Sequence, residues 1–322
     1  MIEITKAKSK LWSRLGARAV YGQAILETAK NRDDFYVMSA DLCQSSGLVR
    51  FRDEFPDRFI NAGIAEQNMI GIAAGLAKDG TNIFASSFAP FVTMRACEQV
   101  RMNMGYMQLN IKTVGLGSGL VMAQLGSSHF GIEDSSVMRA IPGMTIIEPA
   151  DGVEIVKAVE ALCDYNFPAY LRLTGGSGLP VVHEGDIDFQ IGKAIQIKDG
   201  KDICIIATGT MVYFAKKAAE ILSENEGIHA AVIDMHTIKP LDEDCINSQL
   251  EKKLIVTVEE ASIIGGLGSA VAEYLAPKKN KPAQLILGIK DFFPHAGSYN
   301  YLLEQCGLTA EQIAADIKNY IN

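Results

Sequence analysis

Five residues in this chain combine type and spacing in a way that can do chemistry. Glu66 sits in Ala65-Glu-Gln-Asn-Met-Ile-Gly71, ahead of apolar residues at Met69, Ile70, Ala73 and Leu76. A carboxyl group there is either a helix-dipole partner in a first turn or a group that exchanges a proton. Phe88 and Phe91 follow a run with strand character and stand three residues apart. On spacing alone they fit core packing. His129 is the only histidine in the Gly/Ser-rich stretch Gly115–Arg139 and, taken alone, reads as a solvated loop residue. Arg172, in Tyr170-Leu-Arg-Leu173, offers a guanidinium fork to an ion pair or a bound anion. His183, His229, His236 and His295 read as structural or solvated, and Gly265-Gly-Leu-Gly-Ser269 as a tight turn before a helix.

Positioning such groups takes a regular scaffold, and the sequence has the pattern of one. Short β-branched runs at 35–39, 82–86, 111–115, 144–148 and 169–173 alternate with helical patterns at 12–30, 65–78, 92–104 and 153–163. After the Gly/Pro-rich stretch 174–180 a second series begins, with strands at 203–208, 230–235 and 254–259 and helices at 212–223 and 268–275. Strand and helix alternating at these lengths predict an α/β fold of two domains, each a mainly parallel sheet flanked by helices. The linker composition of 175–186 places the boundary near residue 180, giving domains 1–180 and 181–322.

Composition narrows the function. The chain has 322 residues, of which 30 are Lys or Arg and 38 Asp or Glu, for a net charge of −8. That mild acidity argues against nucleic acid or an anionic membrane as the main partner. No apolar run reaches the roughly 18–20 residues of a membrane span, and the opening residues lack a signal-peptide core, so a cytoplasmic protein is expected. Six scattered cysteines without a C-x-x-C fit reduced thiols rather than disulfides or a zinc site.

The candidate residues stand in an order that resembles the transketolase family. Ile64-Ala-Glu-Gln-Asn68 and Phe88-x-x-Phe91 match its pyrimidine-binding domain, as do Arg18-Ala-Val-Tyr-Gly22, Ala40-Asp-Leu42, Ile132-Glu-Asp through Ile141-Pro142, and Glu148-Pro-Ala-Asp151. Lys239-Pro-Leu-Asp242, Val258-Glu-Glu260 and Gly265-Gly-Leu-Gly268 match the second domain, so the resemblance spans nearly the whole chain. It implies a thiamine diphosphate site in which Glu66 hydrogen-bonds the aminopyrimidine, Phe88 and Phe91 pack on its face, and Asp41 belongs to the cofactor site. A desolvated carboxyl shares a proton with that ring more readily, and the cofactor must lose a proton before it attacks a ketose carbonyl. The resemblance further implies that His129 handles sugar oxygens and that Arg172 holds a terminal phosphate or another anionic group of the substrate. Three positions depart from the family pattern: Met94 replaces a third aromatic residue, and Gly117 and Leu125 replace a histidine and an acidic residue facing the donor hydroxyls. The expected mechanism is therefore that of a transketolase with an altered substrate.

A G-D-G diphosphate signature is missing, and the length is about half that of a single-chain transketolase. The resemblance then implies a C-terminal subunit of a split enzyme. An N-terminal subunit would bind the diphosphate through Mg²⁺ or Ca²⁺, so no metal residue is assigned to this chain. A two-fold dimer through the stripe Met69, Ile70, Ala73 and Leu76, and a heterotetramer with the partner, are expected. The β component of a 2-oxoacid dehydrogenase and a non-catalytic scaffold subunit are the alternatives.

Overall fold

The structure, a computed structural model, describes residues 2–321. Strands β1 (Phe35–Ser39), β2 (Phe59–Asn61), β3 (Asn82–Phe88), β4 (Ile111–Leu116), β5 (Thr145–Ile147) and β6 (Ala169–Leu173) build a first parallel sheet. A second sheet contains β7 (Ile195–Lys198), β8 (Ile203–Ala207), β9 (Ala230–Asp234), β11 (Leu254–Ser262) and β12 (Ala283–Ile289). It is parallel apart from β7 against β9. Strand β10 (Thr237–Lys239) comes from the second half of the chain but pairs antiparallel with β5, so the first sheet runs β10-β5-β6-β4-β3-β1-β2.

Period-two alternation divides the first sheet between two helical layers. Phe35, Val37, Phe84 and Val114 face α1 (Lys6–Leu15), α2 (Ala17–Ala29) and α7 (Gly152–Asp164). Met38, Ile83, Ala85 and Ile111 face α4 (Glu66–Lys78), α5 (Cys97–Val100) and α6 (Asp134–Ala140). In the second domain, β8 sends Ile203 and Ile205 to α8 (Met211–Glu226) and α12 (Ala310–Ile321), and Cys204 and Ile206 to α9 (Glu243–Asn247) and α10 (Leu267–Leu275). Leu120, Phe130, Ile132 and Ala150 of the first domain lie within that second core, so the two domains share apolar packing. All six cysteines are free, and among the described residues no helix is long and apolar enough to cross a membrane.

Three expectations need correction. The helical pattern at 12–30 is two helices, broken at Gly16 with φ +82°; a Cβ there would meet the Gly176 backbone at 2.7 Å, so the linker closes over the break. The pattern at 92–104 is not one α-helix, since π-helical turns at Phe91–Arg95 and Arg101–Tyr106 flank α5. The apolar stripe of α4 is not a dimer face, because Met69, Ile70 and Ala73 are fully buried against the chain's own sheet. The open face of α4 carries Gln67, Asn68, Gly71 and Gly75 instead.

Gly22 in α2 gives a test in which two effects oppose. Replacing an interior helical glycine by alanine ordinarily stabilises by about 1 kcal/mol. Here a Cβ would lie 2.1 Å from the Gly47 carbonyl oxygen, a backbone atom that cannot swing aside. Overpacking costs roughly 1–3 kcal/mol. Gly22→Ala is therefore expected to lower the urea midpoint, and a raised midpoint would show that the loop yields to the helix.

Candidate active site

The site forms where the first sheet's strands end at their carboxyl edge, the usual place for ligands in an open parallel sheet. Glu66 is the first residue of α4 and is 2% exposed. Its Oε1 accepts from Ser87 Oγ at 3.0 Å and its Oε2 from Arg95 Nη1 at 2.8 Å. The alternation of β3 makes this possible, with Ser87 turned toward Glu66 while Ser86 bonds Tyr21 on the opposite layer at 2.8 Å. Arg95 also lies over the Phe91 ring, 4.0 Å from its centroid, and so links the carboxylate to the aromatic group.

Phe88 ends β3 and meets Phe91 edge-on at 6.0 Å. The His129 ring packs edge-on against both, at 5.8 Å from Phe88 and 5.2 Å from Phe91. Ser128 Oγ lies 3.0 Å from His129 Nδ1, which leaves Nε2 as the ring nitrogen available to a ligand. Glu66, Phe88, Phe91 and His129, 63 residues apart in sequence at the extremes, are thus brought together. Asp41 lies just beyond the end of β1 on the same sheet edge, in left-handed backbone at φ 59°, and exchanges hydrogen bonds with Asn61 at 3.0 and 3.1 Å. Two further positions lie near His129 in the chain. Leu125 is 53% exposed, and a Cβ on Gly117 (φ +63°) would meet Met122 Sδ at 2.6 Å, so a larger residue needs Met122 to move.

Arg172, one residue before the end of β6, turns inward and is closed to a substrate anion, unlike the role expected of it. It is fully buried. Its Nε donates to Asp134 at 3.0 and 3.1 Å, Nη1 to Glu148 at 2.5 Å, and Nη2 to the carbonyls of Gly131 and Glu260 at 2.8 and 3.0 Å. Around it, Tyr170 donates to Asp134 at 2.6 Å, while Glu260 accepts from Leu120 N, Thr210 Oγ1 and Tyr299 Oη at 2.7, 2.7 and 2.6 Å. Glu259 caps α10 by accepting from Leu267 N and Gly268 N, each at 2.8 Å, which makes the glycine cluster the tight turn expected of it.

Sequence reasoning missed Arg95 and this buried network. For the network a signal existed, since Glu259 and Glu260 interrupt the apolar strand Leu254–Ser262. Two adjacent carboxyl groups are tolerated in a buried strand only when both are partnered.

The fold and site define a two-domain α/β protein whose first domain presents a buried carboxylate beside an aromatic wall. Residues 14–177 match the transketolase pyrimidine binding domain and residues 192–313 the transketolase C-terminal domain. The chain is 43% identical over 303 residues to a "Putative transketolase C-terminal section" of Methanocaldococcus jannaschii, covering 94% of this chain and 95% of that protein. It is 41% identical over 297 residues to the 6-deoxy-6-sulfo-D-fructose transketolase subunit SqwH of a Clostridium strain, covering 92% and 91%. A split-gene transketolase solved as an inactive beta4 tetramer superposes with TM-score 0.86 at 39% identity, over 95% of this chain and 97% of that one. The protein belongs to the transketolase family.

Burial lifts the Glu148 carboxyl to about 8, with Arg172 opposing and Asp134, Glu259 and Glu260 adding to the rise. A carboxyl whose folded value lies above its unfolded value of 4.5 keeps a proton that the unfolded chain releases. Stability contributed by this group is therefore full below about pH 4.5 and lost as pH rises toward 8. Glu148→Gln keeps an acceptor for Arg172 and is expected to flatten the fall in unfolding free energy between pH 5 and 8. Equal slopes for the variant and the parent chain would assign the pH dependence elsewhere.

Proposed function

We propose that this chain is the catalytic C-terminal subunit of a two-chain transketolase (a transferase of ketol groups, EC 2.2.1.-) that moves a two-carbon ketol unit from a ketose to an aldose with thiamine diphosphate. The grouping of Glu66, Phe88, Phe91 and His129 on one sheet edge carries the proposal. A buried carboxylate beside an aromatic wall suits an aminopyrimidine, which has apolar faces and a hydrogen-bonding rim. When bound, the cofactor supplies a carbon nucleophile for a sugar carbonyl.

The chain's own residues divide the remaining work. Glu66 holds or passes a proton at its carboxylate toward the pyrimidine rim, with Ser87 and Arg95 fixing its orientation. Phe88 and Phe91 orient the ring and exclude water, and Asp41 borders the cofactor on the same edge. His129 turns Nε2 toward the sugar oxygens and orients them. The sulfonated ketose in one relative's name supports an anionic donor sugar, although Arg172 is enclosed and another group must meet that anion.

A partner N-terminal subunit supplies the diphosphate site and its Mg²⁺ or Ca²⁺, in a cytoplasmic heterotetramer built on a two-fold dimer of this chain. Relatives of nearly equal length described as a section and a subunit support this, as does the inactive state of the beta4 tetramer.

Glu66→Gln tests the reading in the complex reconstituted with the N-terminal subunit. The amide preserves volume and one hydrogen bond but cannot exchange a proton. Hydrogen–deuterium exchange at the thiazolium carbon is expected to slow by about 10²–10⁴-fold, with little change in sugar binding. Exchange at the parent rate would return Glu66 to a helix-capping role.

A further inference from the structure

A second cluster of ionisable groups lies away from the sheet edge, at the junction of the two domains and the linker. Glu154 comes from the first turn of α7, His183 from the linker and Asp234 from the last position of β9. Glu154 and Asp234 are fully buried and His183 is 8% exposed. His183 Nε2 lies 3.5 Å from Glu154 Oε1 and 3.5 Å from Asp234 Oδ2. One ligand atom from each of the three residues lies within 4.8 Å of the other two.

Each residue is held, yet the atoms that face one another have no hydrogen-bond partner. Glu154 Oε2 accepts from Ala150 N at 2.8 Å, leaving Oε1 unpartnered. Asp151 caps α7 with Oδ1 and takes the amides of Val182 and His183 on Oδ2, at 2.9 and 2.7 Å, which fixes the linker over the helix start. His183 Nε2 and both oxygens of Asp234 are buried without a partner. So is Nε2 of His236, with its Nδ1 3.0 Å from Thr237 Oγ1 and its ring stacked on Phe189.

Spacing discriminates between explanations. A direct N–H···O bond spans about 2.7–3.2 Å, shorter than the 3.5 Å seen twice here. Ligand atoms about 2.1 Å from a tetrahedral ion lie ~3.4 Å apart, close to the observed spacing. Among the described residues, the ion pairs of Glu154 and Asp234 are with His183 alone. One nitrogen and two oxygen donors suit zinc or a similar first-row ion better than calcium, which takes six to eight oxygens.

We propose that Glu154, His183 and Asp234 form a binding site for one divalent transition-metal ion of the zinc class, which clamps the linker to both domains. The site is distinct from any cation that accompanies a diphosphate. The ion is structural, since the site is buried where the chain passes between domains and takes one ligand from each domain and one from the linker.

The test uses the full chain purified with Zn²⁺ in the medium. Elemental analysis is expected to find about one zinc per chain. Chelation should lower the melting midpoint, and Zn²⁺ at a hundred-fold excess over its Kd should restore roughly 5 °C where Mg²⁺ does not. Co²⁺ loaded in place of zinc is expected to give visible absorption bands, lost in Asp234→Asn and His183→Gln. Asp234→Asn keeps the shape of the buried side chain, which protects the test against a failure to fold. A folded parent chain that takes up neither Zn²⁺, Mn²⁺ nor Co²⁺ would overturn the proposal and leave a histidine–carboxylate ion network. Undiminished uptake by both variants would also overturn it.

Discussion

The fold depends on how one buried guanidinium is satisfied. Arg172 stands on the central part of the first sheet and is enclosed by carboxylates of the first domain and a backbone carbonyl of the second. Removing one partner of such a buried pair costs about 3–5 kcal/mol, because the other charge stays uncompensated. That constraint explains the acidic residues that sequence patterning would not place in a core. Asp134 neutralises the cation, Glu148 accepts a hydrogen bond from it, and Glu260 lends its carbonyl to Arg172 while its carboxylate gathers Leu120, Thr210 and Tyr299. The network therefore sets the relative position of the domains, with apolar packing around Phe130 and Ile132 filling the space beside it.

The candidate catalytic edge follows from the same architecture. Parallel strands leave their carboxyl ends on one side, and the alternation in β3 gives successive residues opposite duties. Ser86 holds α2, Ser87 orients Glu66, and Phe88 begins the aromatic wall. The π-helical turn that follows carries both Phe91 and Arg95, so one irregular segment supplies a ring to the wall and a cation to the carboxylate. Such wide turns often occur at functional sites.

Much of this was legible in the sequence, and the reasons are local. Strands 35–39 and 169–173 were readable residue for residue, because β-branched and aromatic runs bounded by turns have few alternatives. The grouping of Glu66, Phe88, Phe91 and His129 was legible through family resemblance, not through spacing. The π-helical turns were not legible, since helical periodicity does not distinguish a wide turn from an α-turn. Nor was the fate of Arg172, because an arginine ending a strand looks the same whether it meets solvent or four buried acceptors. His183 and His236 read as bland residues for a similar reason: their neighbours arrive from distant parts of the chain.

The crossing of β10 into the first sheet has a consequence for biosynthesis. Until Lys239 has left the ribosome, β5 remains an open edge with unpaired backbone amides and carbonyls, although every other strand of that sheet is already made. An exposed edge of this kind is a template for pairing with other nascent chains. The first domain is thus the earlier to be synthesised but is finished only by its successor. A gene cut at the linker would encode a first half with a permanently uncovered edge, so the two-domain unit, not the single domain, is the smallest piece that closes both sheets.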